Sequence, residues 1–275
     1  MLRPTRLSAP PNKHSSAALT YRTPDWRCLL LRLLANACQC RYHTGHLFTV
    51  GGGAAMTTAS KKARPLGEVV SEGTLQADLE RYRQMALDLG ASGAAILPAR
   101  EVVIDERVRL KCTVPRCLRA GETPNCPPYA PDLDLVRKAV SRYSWAVLIK
   151  CNVEPLEDYA PGAGKTKEDK RRVLSFHEQS GNVVTALERQ AYKDGYHLAM
   201  GFGGGSCKDY LCKGMICQYL DSGRCRFPHR ARPAMEAVGI DVLDLVNKAG
   251  WQAYALLDDL SCVPCAITVG IVFVS

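Results

Sequence analysis

Cysteine is the residue type whose spacing in this sequence most strongly indicates chemistry. A first group has three members within 15 residues and is followed at once by two prolines: Cys112, Cys117 and Cys126. A second group has four members separated by four, four and seven residues: Cys207, Cys212, Cys217 and Cys225. Thiolates are soft ligands that select zinc, copper(I) or the iron of iron–sulfur clusters. The two groups therefore predict metal binding at these seven cysteines.

The second group alone supplies enough thiols for one complete tetrathiolate site. Structural zinc sites usually pair their ligands in tight Cys-x2-4-Cys knuckles separated by a longer arm. Here the ligands are spread through one continuous glycine-containing stretch from Cys207 to Cys225, which favours an iron–sulfur cluster of the [4Fe–4S] type. We expect exposed thiolates of low pKa in this stretch, and an electron-transfer or accessory redox role. The alternative is a zinc-stabilised binding module without redox chemistry.

The first group has one thiol too few for a tetrathiolate site, and three arrangements follow from that. It recruits a fourth ligand from Cys151, Cys262 or Cys265, or it shares a centre with the second group. In the third arrangement one metal position stays open for a substrate, as in a metalloenzyme. The sequence does not select among these arrangements.

Two further features next to the second cysteine group are candidates for cofactor binding. The backbone amides of Gly203, Gly204 and Gly205 are predicted to donate to cluster sulfides or to another anionic ligand. Arg226 begins a basic run that includes three more side chains: His229, Arg230 and Arg232. Such a run is expected to neutralise an anionic cluster or to contact an acidic redox protein partner.

The composition is that of a chain with a hydrophobic core. It has 275 residues, of which 47% are hydrophobic and 23% charged, and no stretch reaches the ~18 apolar residues that a membrane helix needs. The net charge of +9 is concentrated in residues 1–55, which hold seven basic residues and one acidic residue. The remaining 29 basic and 26 acidic residues give no electrostatic indication of nucleic-acid binding.

Residues 1–55 differ from the rest of the chain and are predicted to lie outside the fold. They are rich in Arg, Ser, Thr, Ala and Pro, and they end in a glycine run before Met56. They are either a transit-like targeting peptide or upstream sequence read from a misassigned start. The second reading is favoured because the residues from Met56 to Lys62 resemble a native start. We therefore expect a single cysteine-rich metal-binding domain over residues 56–275, in the cytoplasm.

Hydrophobic periodicity predicts an α/β fold, with a mixed sheet layered with helices and cysteine-rich metal-binding loops at the strand ends. The predicted strands are Ala94–Leu97, Ser144–Val153, Tyr196–Met200 and Ala266–Val274. The predicted helices are Gly73–Leu89, Asp132–Tyr143, Lys167–Tyr192, Pro233–Val238 and Val242–Lys248.

The first cysteine group with its two prolines, and the block from Arg224 to Asp241, carry a resemblance to a known family. They resemble the family called domain of unknown function 2284, which is described as predicted metal-binding proteins of prokaryotes. The similarity spans roughly Gly73 to Val274. It implies a metal-binding, cytosolic bacterial or archaeal protein, and it implies no particular reaction.

Overall fold

A computed structural model describes residues 63–156, 176–256 and 260–275. It confirms an α/β fold in which helices are layered on a four-stranded sheet. The predictions for residues 1–55 and for the beginning of the helix from Lys167 lie outside the described residues. Within the described ranges, no helix is both long and apolar enough to span a membrane.

The sheet has the strand order β1-β2-β4-β3, and each pair of neighbouring strands is antiparallel. The strands are β1 (Gly93–Pro98), β2 (Trp145–Asn152), β3 (Met200–Phe202) and β4 (Ile267–Phe273). The longer helices are α1 (Glu72–Asp88), α3 (Leu133–Val140), α4 (Glu178–Lys193) and α7 (Val242–Lys248). The short helices are α2 (Glu106–Leu110), α5 (Cys207–Tyr210) and α6 (Gln218–Ser222). Three single turns of 3-10 helix are Ala99–Glu101, Glu236–Val238 and Leu260–Cys262.

The two central strands are apolar on both faces, which explains why helices cover both sides of the sheet. Successive side chains of a strand point to opposite faces. Ala146 and Leu148 of β2 accordingly lie in a cluster with residues of α3 and α7. Val147 and Ile149 lie in a second cluster with residues of α1 and α4. The continuous apolar runs of the sequence are therefore buried strands between two helical layers.

An arginine and two buried carboxylates connect α1 to the end of α4. The Arg81 guanidinium donates to Asp78 at 2.6 Å and to Asp194 at 2.7 Å, and both carboxylates are buried. The Tyr82 hydroxyl donates to Asp194 at 2.9 Å. Since a buried carboxylate without partners is costly, these contacts specify how the two helices pack.

The structure corrects four local expectations. The helix expected over Pro233–Val238 is a single 3-10 turn, Glu236–Val238, and the helix expected over Lys167–Tyr192 begins at Glu178 in the described part of the chain. The strand predicted over Tyr196–Met200 begins only at Met200, because Tyr196 and Ala199 make turn hydrogen bonds to the carbonyls of Ala191 and Tyr196. The stretch between Cys207 and Cys225, expected as a loop, contains the short helices α5 and α6. Helices of four or five residues are too short to produce a detectable hydrophobic period.

Gly270 of β4 allows α4 to approach the sheet closely. A Cβ at this position would lie 2.5 Å from Val184 Cγ2 and 3.2 Å from the Phe202 carbonyl oxygen. We expect Gly270→Ala to lower the free energy of unfolding by about 1–3 kcal/mol, the usual cost of overpacking. Denaturant titration measures this change.

The matched control is Gly73→Ala in α1, where a Cβ would meet no atom within 4 Å. That change should leave stability unchanged or raise it by up to about 1 kcal/mol, since alanine is the better helix former. Equal effects of the two substitutions would contradict the close approach of α4 to β4.

Candidate metal centre

All four cysteines of the second group line one narrow cavity, which we call the four-cysteine cavity. Its volume is about 20 Å³, and its other walls include Asn125, Leu211 and Phe227. The structure thus brings together Cys207, Cys212, Cys217 and Cys225 from a stretch of 19 residues. Convergence of four thiols on one space is what a soft metal requires of its donors.

Short helices and tight turns fold the segment around this cavity. Cys207 is the first residue of α5, and Ser206 caps that helix by accepting a hydrogen bond from the Lys208 amide at 3.3 Å. The chain then turns through Gly214, with φ of +80°, before Cys217 precedes α6. Gly223, with φ of +73°, ends α6 two residues before Cys225. Glycine suits these left-handed positions because it has no Cβ.

The expectation of exposed thiolates with low pKa is wrong for part of the second group. Cys207 and Cys212 are buried, whereas Cys217 and Cys225 are half-buried. Burial raises the pKa of the Cys207 thiol to about 11, although a hydrogen bond from Asn125 opposes the rise. A metal must therefore displace a proton from this sulfur, because the thiolate is the ligand.

The three cysteines of the first group do not all line the same cavity. Cys126 is buried, and its thiol donates to the Ser206 hydroxyl at 3.6 Å. Cys112 and Cys117 instead line a second cavity of about 930 Å³, which we call the Glu236 cavity. Burial, followed by the neighbouring charge of Cys117, raises the pKa of Cys112 to about 11. A second centre on all three cysteines stays a prediction.

Ion pairs join the two cysteine segments. Arg119 lies 2.5 Å from Asp209 and 2.9 Å from Glu122. Lys208 lies 2.9 Å from Glu122. Because Arg119 and Glu122 stand between Cys117 and Cys126, while Lys208 and Asp209 belong to α5, these contacts hold the first segment against the second.

The glycines before Cys207 make room for an imidazole. A Cβ at Gly204 would lie 2.8 Å from His177 Nδ1, and one at Gly205 would lie 2.1 Å from His177 Cδ2. The Gly203 amide donates to the Pro233 carbonyl at 3.0 Å, so its N–H is already bonded. The predicted role of these three glycines in cofactor binding stays a prediction.

The basic run lies partly against α4. Arg232 donates to the Glu188 carboxylate at 2.7 and 3.0 Å, and Arg230 donates to Asn182 Oδ1 at 2.7 Å. The Arg226 guanidinium donates to the Ile216 carbonyl at 2.7 Å, so the residue after Cys225 is bonded to the residue before Cys217. Through these contacts the three arginines stabilise the local fold. Their predicted action on a cluster or on a redox partner stays a prediction.

The three candidate extra ligands lie elsewhere. Cys151 is buried in β2 among the residues that face α1 and α4. Cys262 is exposed at the end of a 3-10 turn, and Cys265 is half-buried just before β4. Among the described residues that line the two cavities, none of the three is present.

Sequence reasoning missed Asn125 and Ser206, which are polar neighbours of the thiols. The Asn125 side-chain amide donates to Cys207 Sγ at 3.5 Å, and Ser206 accepts from Cys126. Both residues directly precede a cysteine in the sequence, and this position is the feature that could have identified them as neighbours of the thiols. Such partners orient metal ligands and tune their donor strength.

The donor set fits a soft metal, although the thiols do not already form a coordination site. In the described part of the chain, no three Cys, His, Asp or Glu side chains are arranged to hold a metal ion. Four thiols on one cavity nevertheless match the ligand preference of zinc and of iron–sulfur clusters.

The protein is therefore of the α/β class, and it has a cavity lined by thiols. The residues that line this cavity belong to the segments that connect the strands of the sheet. The chain belongs to the family described as predicted metal-binding protein (DUF2284), whose match covers residues 95–268. That range contains all seven cysteines of the two groups. No curated protein and no solved structure matches the chain in the corresponding comparisons.

Metal-free protein should show unequal thiol reactivity within the second group. We expect iodoacetamide to label Cys217 at least about tenfold faster than Cys207 at pH 8, because the thiolate is the reactive form and Cys207 is buried with a pKa of about 11. The rate at Cys207 should still be rising at pH 10. Mass spectrometry of peptides after timed labelling measures both rates, and equal rates would contradict the burial of Cys207.

Proposed function

We propose that Cys207, Cys212, Cys217 and Cys225 hold an iron–sulfur cluster, and that the protein has an electron-transfer or accessory redox role. The observation that carries this proposal is the convergence of these four thiols on one cavity. Membership of a family of predicted metal-binding proteins supports the coarser part of the proposal, metal binding.

The spacing of the four cysteines in the sequence supports a cluster over a single zinc ion. Zinc needs four sulfurs at about 2.3 Å from one centre. In a [4Fe–4S] cluster each thiolate binds a different iron, so the sulfurs stand farther apart. The four thiols come from one continuous stretch and face a common cavity, without the paired Cys-x2-4-Cys knuckles of a structural zinc site.

The surroundings of the thiols provide the hydrogen bonds that a cluster site uses. Cys207 Sγ accepts from Asn125, and Cys225 Sγ accepts from the Phe227 amide at 3.3 Å. Hydrogen bonds to ligand sulfurs raise the reduction potential of iron–sulfur clusters. A bound cluster would supply one-electron transfer. The chain's own residues hold the sulfurs, limit the access of water and place Lys208 beside them.

The first test is the metal and sulfide content of protein purified without oxygen. We expect about four irons and four acid-labile sulfides per chain, and a visible absorption that dithionite bleaches. Zinc in place of iron, with no sulfide, would reject the cluster and support the zinc-stabilised module.

Replacement of one thiol tests the ligand assignment. Cys212→Ala should lose most of the bound metal and lower the melting temperature markedly, because metal-binding free energy contributes to the folding of such sites. The matched control is Cys151→Ala, which removes a buried thiol of β2 and should cost about 1 kcal/mol of stability with the metal retained. Full metal content in the Cys212 variant would exclude this residue as a ligand.

A further inference from the structure

Exposed apolar side chains and positive charge occur together on the two cysteine segments, which are residues 105–126 and 207–232. These segments hold eleven basic and five acidic residues, whereas the rest of residues 56–275 holds 18 basic and 21 acidic residues. Positive charge is therefore concentrated around the thiols. The ion pairs of Arg119 with Asp209 and of Lys208 with Glu122 place the two segments side by side.

Four large hydrophobic side chains next to Cys217 are exposed, and we call them the Ile216 patch. Met215 and Ile216, which directly precede Cys217, are 51% and 77% exposed. Tyr219 and Leu220 of α6 are 47% and 42% exposed. Single exposed hydrophobic residues are common, but four of them within six residues form an apolar patch of the kind that marks a contact surface.

Two arginines provide positive charge at the edge of the Ile216 patch. The Arg226 guanidinium donates to the Ile216 carbonyl at 2.7 Å, and this bond holds its charge beside the patch. Arg224 is exposed, and within the described ranges no carboxylate forms an ion pair with it. Asp221 is the one acidic residue from position 210 to position 232. A partner with negative charge around an apolar centre complements both features of this surface.

The Ile216 patch lies next to the thiols that solvent reaches. Cys217 and Cys225 are half-buried, whereas Cys207 and Cys212 are buried, and all four line the four-cysteine cavity. In the sequence, Cys217 stands between the two pairs of residues that make up the patch. A protein bound to the patch would therefore come close to the more accessible thiols of the cavity.

We propose that the Ile216 patch, with Arg224 and Arg226 at its edge, is the docking surface for an acidic protein that carries one electron. This inference rests on the proposed function, since it assigns a partner to the same thiol site. In the complex the reduced carrier gives one electron to the bound cluster, so the carrier is oxidised and the cluster is reduced, and no bond is formed or broken. The apolar contact holds the two proteins together, while the arginines orient the acidic partner.

A second copy of this chain fits the patch less well than an acidic carrier does. Two identical chains related by a two-fold axis bring the same surface of each chain into contact. Arg224 and Arg226 of one copy would then lie close to the same arginines of the other copy, and like charges across an interface oppose association. An acidic partner meets no such repulsion.

Two electron carriers of opposite charge test the proposal: an acidic plant-type ferredoxin and the basic cytochrome c. Calorimetric titration of the full chain, purified without oxygen, should show binding of the ferredoxin. Its Kd should rise at least about tenfold between about 20 mM and about 200 mM salt, because screening weakens the attraction of opposite charges. Cytochrome c should not bind. Absence of ferredoxin binding, or equal binding of both carriers, would overturn the proposal.

Variants assign the binding to the Ile216 patch. Ile216→Ser and Arg224→Glu should each weaken ferredoxin binding about tenfold, the first at every salt concentration and the second mainly at low salt. The matched controls are Leu198→Ser, where the leucine is 66% exposed before β3, and Arg142→Glu, where the arginine is exposed after α3. If Ile216→Ser and Leu198→Ser weaken binding equally, the patch is not the docking surface.

Stopped-flow mixing with reduced ferredoxin separates this proposal from the cluster proposal. The rate of cluster reduction should fall about tenfold in Ile216→Ser protein, with iron and sulfide content unchanged. A cluster that is present but takes no electron from bound ferredoxin would reject the carrier and retain the cluster. Zinc without sulfide would reject the cluster and with it electron transfer, while the titration would still decide whether the patch binds an acidic protein. A dimer of the chain that Ile216→Ser abolishes would assign the patch to a second copy and overturn the proposal.

Discussion

The pairing of β2 with β4 is the interaction on which the rest of the structure depends. Ala146 is paired with Phe273 and Asn152 with Ile267, so two segments more than a hundred residues apart form the centre of the sheet. Both strands are apolar on both faces, and each face needs a helical cover to remove it from water. The cysteine segments belong to the connections between these elements, so their positions follow from the layered core.

The four-cysteine cavity has little apolar core of its own. Its small buried cluster consists of Cys207, Tyr210 and Leu211, with Phe227 and Ala231 against it. Tyr210 joins this cluster to α4 by lying close to Gly181, where a Cβ would be 3.0 Å from the ring. A segment with so few apolar contacts gains much of its order from whatever its thiols bind. The surrounding fold can therefore supply a stable frame while the segment itself adapts to the metal.

The sequence was informative wherever a pattern was long or dense. Continuous apolar runs identified β2 and β4, helical periodicity identified α1, and the spacing of four cysteines identified a group that the fold brings together. Tyr196 misled the strand prediction because it is buried by packing against residues of α1 and α4, and its hydroxyl donates to Asp78, 118 residues away. Glu236 gave no signal, since the cavity it lines is built from several distant segments. Such long-range contacts leave no local pattern in a single sequence.

The ion pairs of Arg119 with Asp209 and of Lys208 with Glu122 make the junction between the cysteine segments electrostatic, whereas the sheet is held by apolar contacts. Dissolved salt screens partly exposed charges over about 10 Å at 0.1 M, but it does not weaken apolar burial in this way. Within the junction, the Glu122 carboxylate is 35% exposed, whereas Arg119 and Asp209 are 18% and 14% exposed, so screening acts mainly on the contacts of Glu122. Before a metal is bound, the salt content of the surroundings therefore weakens the Lys208–Glu122 contact more than the Arg119–Asp209 contact between the two thiol groups.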